Sequence, residues 1–334
     1  MPLQKFEQLI DQLKGLKSVV LSGLGESFVN KSFLEMIAYL KSRNIRVIFS
    51  SNFTIVNRSI ARRLVELSVD EIQVSIDGAT KDVYEKIRVG ADFHRVIANV
   101  RGFMDARHRL RSPIPKVTIN FVTTTKNLNQ VRAMVELSES LHVDELVISD
   151  MRPFEESRPL LATAEDVSSS LRKSLRHSDN LGVNVVVQRS LRRPINKCNL
   201  PWSTAYITYD GYVMPCCYSI QQTGNRARQM KLSLGNVFTQ DFLRIWNSEA
   251  YNALRREVKA GRSPETCRGC PLYAPKETIT FARERQTLAE QKHSAFGDGP
   301  PSSEAVLPVE WSLTNWPRPA VAQMHIPMKS VSSK

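Results

Sequence analysis

The first 197 residues of this 334-residue chain contain no cysteine, and all five cysteines fall between positions 198 and 270. An odd number grouped so tightly argues against a disulfide framework and, in a reducing compartment, favours metal ligation. Aromatic residues are scarce at 7%. Basic residues outnumber acidic ones by 46 to 33, for a net charge of +13, with local concentrations at 101–111 and 189–197. Neither stretch holds more than one aromatic side chain. Nucleic-acid surfaces interleave cations with stacking rings or carry a recognisable module, so nucleic-acid binding is not expected. A solvated basic surface, helpful toward an acidic substrate, is the simpler reading. Long apolar runs are also missing: none approaches the roughly 20 residues of a membrane span. The N-terminus lacks the apolar core and small-residue cleavage site of a secretory signal. A cytoplasmic, membrane-free protein is expected, and 42% hydrophobic residues are ample for a core.

What is present is an alternation of periods. Phe6, Leu9, Ile10 and Leu13 share a helical face, and an apolar run at 18–22 follows. Helical stripes at 33–40, 60–67, 93–104 and 131–135 then alternate with strand-like segments at 46–50, 71–76, 116–122 and 145–149. Such alternation predicts βαβ units on a parallel sheet, with ligands at the rim formed by the strands' C-terminal ends. Gly23, Gly25 and Glu26, Ser51 and Asn52, Ser75 and Asp77, residues 123–127, and Asp150 all stand at or just past those ends. After about Arg152 the pattern changes to a polar helical stretch at 162–178 and a short strand at 183–187. Two β-like segments, 205–209 and 212–215, flank Asp210-Gly211, a hairpin signal. Helices near 240–246, 249–260 and 277–293 follow, and beyond Gly297 the chain is rich in Pro and Ser without periodicity, as disordered tails are.

Cys267 and Cys270 form a Cys-x-x-Cys pair, whose two intervening residues let one tight turn aim both sulfurs at one centre. Cys198 and the adjacent Cys216 and Cys217 bracket the hairpin signal. Together they offer enough thiolates for one [4Fe–4S] cluster or one tetrahedral zinc, and no histidine is close in sequence. A redox dithiol would place its Cys-x-x-Cys early in a thioredoxin-like unit, not in a C-terminal loop. Buried thiols without a metal are a further reading. A second cysteine group on turn chemistry favours metal ligation, and spacing alone leaves iron–sulfur and zinc open.

The motifs then resemble a known family. Cys198-Asn-Leu-Pro-Trp202, Asp210-Gly-Tyr-Val-Met-Pro-Cys-Cys217, Leu234-Gly-Asn-Val237, Ile245-Trp-Asn247 with Tyr251 and Arg255, and Cys267-x-x-Cys270 look like the auxiliary-cluster region of radical-SAM proteins with a SPASM/Twitch domain. Ser22-Gly-Leu-Gly-Glu26 and Val74-Ser-Ile-Asp-Gly78, with Tyr84 and Arg88, resemble the barrel motifs of the same family. The resemblance spans about Phe6 to Tyr273. It implies an α/β fold: a partial (β/α)6 parallel barrel over 1–152, with a last barrel element and linker over 153–197. A small α+β iron–sulfur domain over 198–275, a helix over 276–296 and a disordered tail over 297–334 complete it. It implies S-adenosylmethionine held by the 23–26 backbone at its amino group, by Ser51 and Asn52 beside the methionyl group, by Ser75 and Asp77 at the ribose, and by Arg88 at the carboxylate. It also implies one auxiliary [4Fe–4S] cluster on Cys198, Cys267, Cys270 and one of Cys216 and Cys217. Cys216 is preferred because it keeps the family's spacing from Gly211.

Two departures stand out. Leu24 and Ser27 replace a glycine and the proline of the family's Gly-Gly-Glu-Pro motif. The Cys-x-x-x-Cys-x-x-Cys loop that follows the family's first strand, and that strand itself, have no counterpart in these residues. The expectation is therefore of an incomplete form, a fragment or the product of a misassigned start. As written, it would not generate a 5′-deoxyadenosyl radical, and its first remaining strand would have an unpaired edge unless another element covers it. The complete form would modify a peptide or small molecule and draw on a reductant protein. A non-catalytic iron–sulfur protein that binds a peptide or partner, and a zinc-bearing binding module, are the alternative readings.

Overall fold

In a computed structural model of the chain, strands and helices alternate as the apolar periods predict. The described residues are 1–23, 25–151, 198–221, 226–268 and 270, with short stretches at 160, 162, 166–167, 169–171, 183–188 and 323–325. Six strands, β1 (Ser18–Leu21), β2 (Arg46–Ser51), β3 (Glu71–Ser75), β4 (Lys116–Thr123), β5 (Glu145–Asp150) and β6 (Asn184–Gln188), pair in parallel and in chain order. Between them run α1 (Leu3–Gln12, before β1), α2 (Phe33–Lys41), α3 (Arg58–Glu66), α4 (Lys81–Ile87), α5 (Phe93–Arg109) and α6 (Val131–Ser140). The first four residues of β3 and of β5 are buried, as expected for parallel strands covered on both faces. Phe49 of β2 is fully buried and meets Phe33 and Phe28 edge to face at 5.2 and 5.8 Å. Side-chain caps start α3 and α5. Asn57 Oδ1 accepts from the Ile60 amide and Asp92 Oδ1 from the Arg95 amide, each at 3.0 Å and each contributing about 1 kcal/mol.

The N-terminal rim of the sheet is closed by two aspartates. Asp70 Oδ2 accepts from the Val47 amide at 2.8 Å and from Lys41 Nζ at 2.6 Å, joining the start of β2, the end of α2 and the entry to β3. Asp144 repeats the device before β5, accepting from the Val117 amide at 2.7 Å and from Arg107 of α5. One residue of the basic 101–111 stretch is thus spent inside the fold.

The cysteine region begins with α7 (Leu200–Ser203) and the hairpin β7 (Thr204–Ile207) and β8 (Val213–Met214), in the register Tyr206↔Met214 and Ile207↔Val213. The turn needs glycine: Gly211 has φ +91°, and a Cβ there would stand 2.5 Å from Asn236 Oδ1. Helices α8 (Cys217–Gln221), α9 (Arg226–Lys231), α10 (Phe242–Trp246) and α11 (Glu249–Lys259) follow.

The tail departs from expectation at one place. Its residues Gln323–His325 form β9, antiparallel to both β1 and β7, so that the sheet continues β1-β9-β7-β8. The open N–H and C=O groups of the β1 edge supply the physical reason. The expected helix at 276–296, most of the 153–197 linker, including most of the polar stretch 162–178, and the rest of the tail lie outside the described residues. Among the described residues no helix is long and apolar enough to cross a membrane.

Candidate functional site

The residues singled out at the C-terminal rim converge in two groups. In the first, Glu26 leaves the β1 loop and its carboxylate accepts from Ser51 Oγ at 2.9 Å and from the Asn52 amide at 2.7 Å. Ser51 Oγ in turn accepts from the Phe53 amide at 3.0 Å, and Asn52 Oδ1 caps Thr54. The loop between is open: Gly25 has φ +103°, and a Cβ built on it meets no atom within 4 Å.

The second group follows β3. Asp77 is buried, with Oδ1 accepting from the Val122 amide at 2.9 Å and Oδ2 accepting from Arg88 Nε at 2.8 Å and Nη2 at 2.6 Å. Ser75 is partly exposed at the strand end beside Asn120. Gly78 has no alternative: a Cβ there would stand 2.6 Å from the Tyr84 amide nitrogen. Two members of this group were named from the sequence without a role. Fully buried Asn127 donates from Nδ2 to the carbonyls of Asp77 and Val122, both at 2.9 Å, and pegs the β3 and β4 loops together. Tyr84, also fully buried, keeps its hydroxyl without a hydrogen-bond partner among the described residues. Burial raises its pKa, Arg88 opposes that shift, and Asp77 and Glu85 add to it, so the ring lies within reach of the ion pair. Asn127 was foreseeable only as a member of a polar loop; Tyr84 was part of the motif, but nothing in the pattern signals a partnerless hydroxyl.

The cysteines gather from three separate segments. None of the five forms a disulfide, and Cys198, Cys216, Cys267 and Cys270 are all partly exposed. Burial raises the Cys198 thiol, with Cys270 adding to the shift, and raises Cys216 well above its ordinary range, with Cys217, Cys267 and Cys270 adding. Cys267 is pushed up to about 12 by burial, then by Cys198 and Cys270. These four sulfurs therefore feel one another, and each thiolate would need a compensating cation. The Cys270 amide donates to the Cys267 carbonyl at 3.1 Å, closing the Cys-x-x-Cys turn. Cys217 differs in burial: it is completely buried in an apolar group with Tyr206, Met214, Tyr218 and Leu232, against which Cys216 and Cys270 also pack.

Helix α11 supplies scaffold on both of its sides. Leu254 and Val258 of α11 pack against Cys198, Cys267 and Cys270. Arg255 lies against the rings of Trp246 and Tyr251, 4.3 and 4.2 Å from their centroids, and donates from Nε to the Pro201 carbonyl at 3.0 Å. It ties the helix to the Cys198 loop. One contact then joins the two sites: Tyr206, which packs beside Cys216 and Cys270, brings its hydroxyl within 3.9 Å of where a Cβ on Gly23 would be.

The donor sets fit the groups expected of them. Soft thiol donors, three of them packed about Leu254 and Val258, suit an iron–sulfur cluster. Among the described residues no three Cys, His, Asp or Glu side chains converge closely enough to hold one metal ion. An open glycine backbone with a guanidinium across the rim suits a ligand carrying both an ammonium and a carboxylate.

Residues 1–137 match the radical SAM superfamily and residues 198–271 match SPASM, an iron–sulfur cluster-binding domain. The chain belongs to the radical SAM family with a SPASM domain, and with that assignment come [4Fe–4S] ligation and S-adenosylmethionine binding. It is 24% identical to the tungsten-containing aldehyde ferredoxin oxidoreductase cofactor-modifying protein of Pyrococcus furiosus, over 77% of this chain and 74% of that protein. It is 25% identical to the mycofactocin maturase MftC of Mycobacterium ulcerans, over 86% of this chain and 82% of that protein. Streptococcus suis SuiB bound to S-adenosylmethionine shares the fold at 15% identity, TM-score 0.62, over 85% of this chain and 68% of that one. Native anSMEcpe with bound AdoMet does so at 14% identity, TM-score 0.58, over 89% and 91%.

Proposed function

We propose that this chain ligates one [4Fe–4S] cluster through Cys198, Cys216, Cys267 and Cys270, binds S-adenosylmethionine at the C-terminal rim, and serves the modification of a peptide or cofactor. The observation that carries this reading is the gathering of cysteines from three segments: Cys198, Cys267 and Cys270 pack about Leu254 and Val258, and Cys216 and Cys270 pack against the neighbouring Tyr206 group. The relatives support the substrate class: one is a cofactor-modifying protein, one a maturase, and SuiB has been solved with its precursor peptide SuiA.

When bound to a reduced cluster, S-adenosylmethionine supplies a radical able to abstract a substrate hydrogen. This chain's own residues bind and orient. The backbone of 23–26 accepts the ligand's ammonium, held open by Gly25 and anchored by Glu26 to Ser51 and Asn52. Ser75 faces the ribose, and Arg88 receives the carboxylate. Cys217 stays within the apolar group as packing. The five cysteines suffice for one four-iron cluster, so reductive cleavage needs thiolates from outside these 334 residues. The chain alone is expected to bind S-adenosylmethionine without cleaving it.

Anaerobic reconstitution followed by iron, sulfide and zinc analysis tests the cluster, and equilibrium dialysis tests the ligand. One four-iron cluster per chain and saturable S-adenosylmethionine binding are expected. A colourless protein with one zinc overturns the first part; wild-type protein that takes up cluster but no ligand overturns the second.

A further inference from the structure

The family resemblance places Asp77 at the ribose, yet its carboxylate is already spent. Oδ1 accepts from the Val122 amide at 2.9 Å, and Oδ2 accepts from both Nε and Nη2 of Arg88 at 2.8 and 2.6 Å. The side chain is only 8% exposed, against 29% for Arg88. Its backbone is pinned as well: Asn127 Nδ2 holds the Asp77 carbonyl at 2.9 Å, and the next residue, Gly78, is pressed against Tyr84 in the middle of α4. To reach a ribose hydroxyl, Asp77 would have to abandon a strand amide and leave a guanidinium unpaired, both of them costly below the surface. Arg88 is in the opposite position. Asp77 grips the Nε–Nη2 edge of its guanidinium, which fixes the plane and leaves Nη1 as a donor on a partly exposed group.

We propose that Asp77 is a positioning residue. It presents Arg88 as the receptor for the methionyl carboxylate of S-adenosylmethionine and makes no contact with the ligand itself. The proposal rests on the reading that this rim binds S-adenosylmethionine. A fixed fork loses less freedom on binding than a free arginine, and with a carboxylate on each side Arg88 bridges the protein and the ligand.

The test uses the full reconstituted chain and two probes, S-adenosylmethionine and its decarboxylated form, in equilibrium dialysis. Asp77→Asn keeps an oxygen for the Val122 amide, and thermal melting confirms that it folds; Asp77→Glu, which displaces the pair, serves the same comparison if it does not. The expected result is an S-adenosylmethionine Kd raised about tenfold, with the decarboxylated probe within about twofold of wild type. In an Arg88→Gln background, Asp77→Asn should add nothing. Ser75→Ala, by contrast, should weaken both probes together. Asp77→Asn weakening both probes alike, or weakening neither, overturns the proposal, as does a further loss in the Arg88→Gln background. Wild-type protein that binds neither probe removes the underlying reading, and the proposal with it; that result is distinct from the others because no variant is needed to see it.

Discussion

Asp70 stands just before β3 and Asp77 just after it, and the two use the same bond for different ends. Each gives an oxygen to the amide of a neighbouring strand, Val47 or Val122, and accepts from a cation, Lys41 or Arg88. At the N-terminal rim the arrangement, repeated by Asp144, satisfies the fold and leaves no donor beside an open cradle. At the C-terminal rim the cation stands among loops kept open by glycine. An aspartate that bonds a strand amide and a cation is therefore no sign of a ligand site. What differs is where the rest of the cation faces and whether the backbone around it leaves room.

The comparison can be broken or sharpened by substitution, beginning with the largest effect. Cys216→Ser should abolish cluster retention, whereas Cys217→Ser should keep iron and sulfide near wild-type levels, read by absorbance and metal analysis after reconstitution. Asp144→Ala should cost about 2–3 kcal/mol in denaturant unfolding, because it strands the Val117 amide and Arg107, while leaving S-adenosylmethionine affinity unchanged. Glu26→Gln should do the reverse: a Kd for S-adenosylmethionine raised about tenfold in dialysis, with stability within about 1 kcal/mol. Arg62→Ala removes an exposed helical pair with Glu66 and should change the unfolding free energy by no more than about 0.5 kcal/mol.

Much of this was legible in the residues. The strand and helix segments of the first half follow from apolar periods, because each period is enforced by a buried face. Asp210-Gly211 marked the hairpin because its turn needs a positive φ. The cysteines marked their own site through spacing and turn chemistry. What stayed hidden depends on distance in the chain. No period links Asp77 to Arg88 or to Asn127, so their mutual engagement is written only in three dimensions. Tyr206 reads as one more apolar strand residue until its hydroxyl is seen beside Gly23. The strand at Gln323–His325 has no local signal at all; its partner is an edge some three hundred residues earlier.

The Tyr206 contact has a thermodynamic corollary. Tyr206 belongs to the apolar group against which Cys216 and Cys270 pack, and its hydroxyl stands near Gly23, so cluster loading and ligand binding are expected to be coupled through it. Linkage is reciprocal: whatever factor cluster loading adds to S-adenosylmethionine affinity, the bound ligand must add to the protein's hold on its cluster. Iron loss measured with and without ligand would then report the same coupling as ligand binding measured with and without iron.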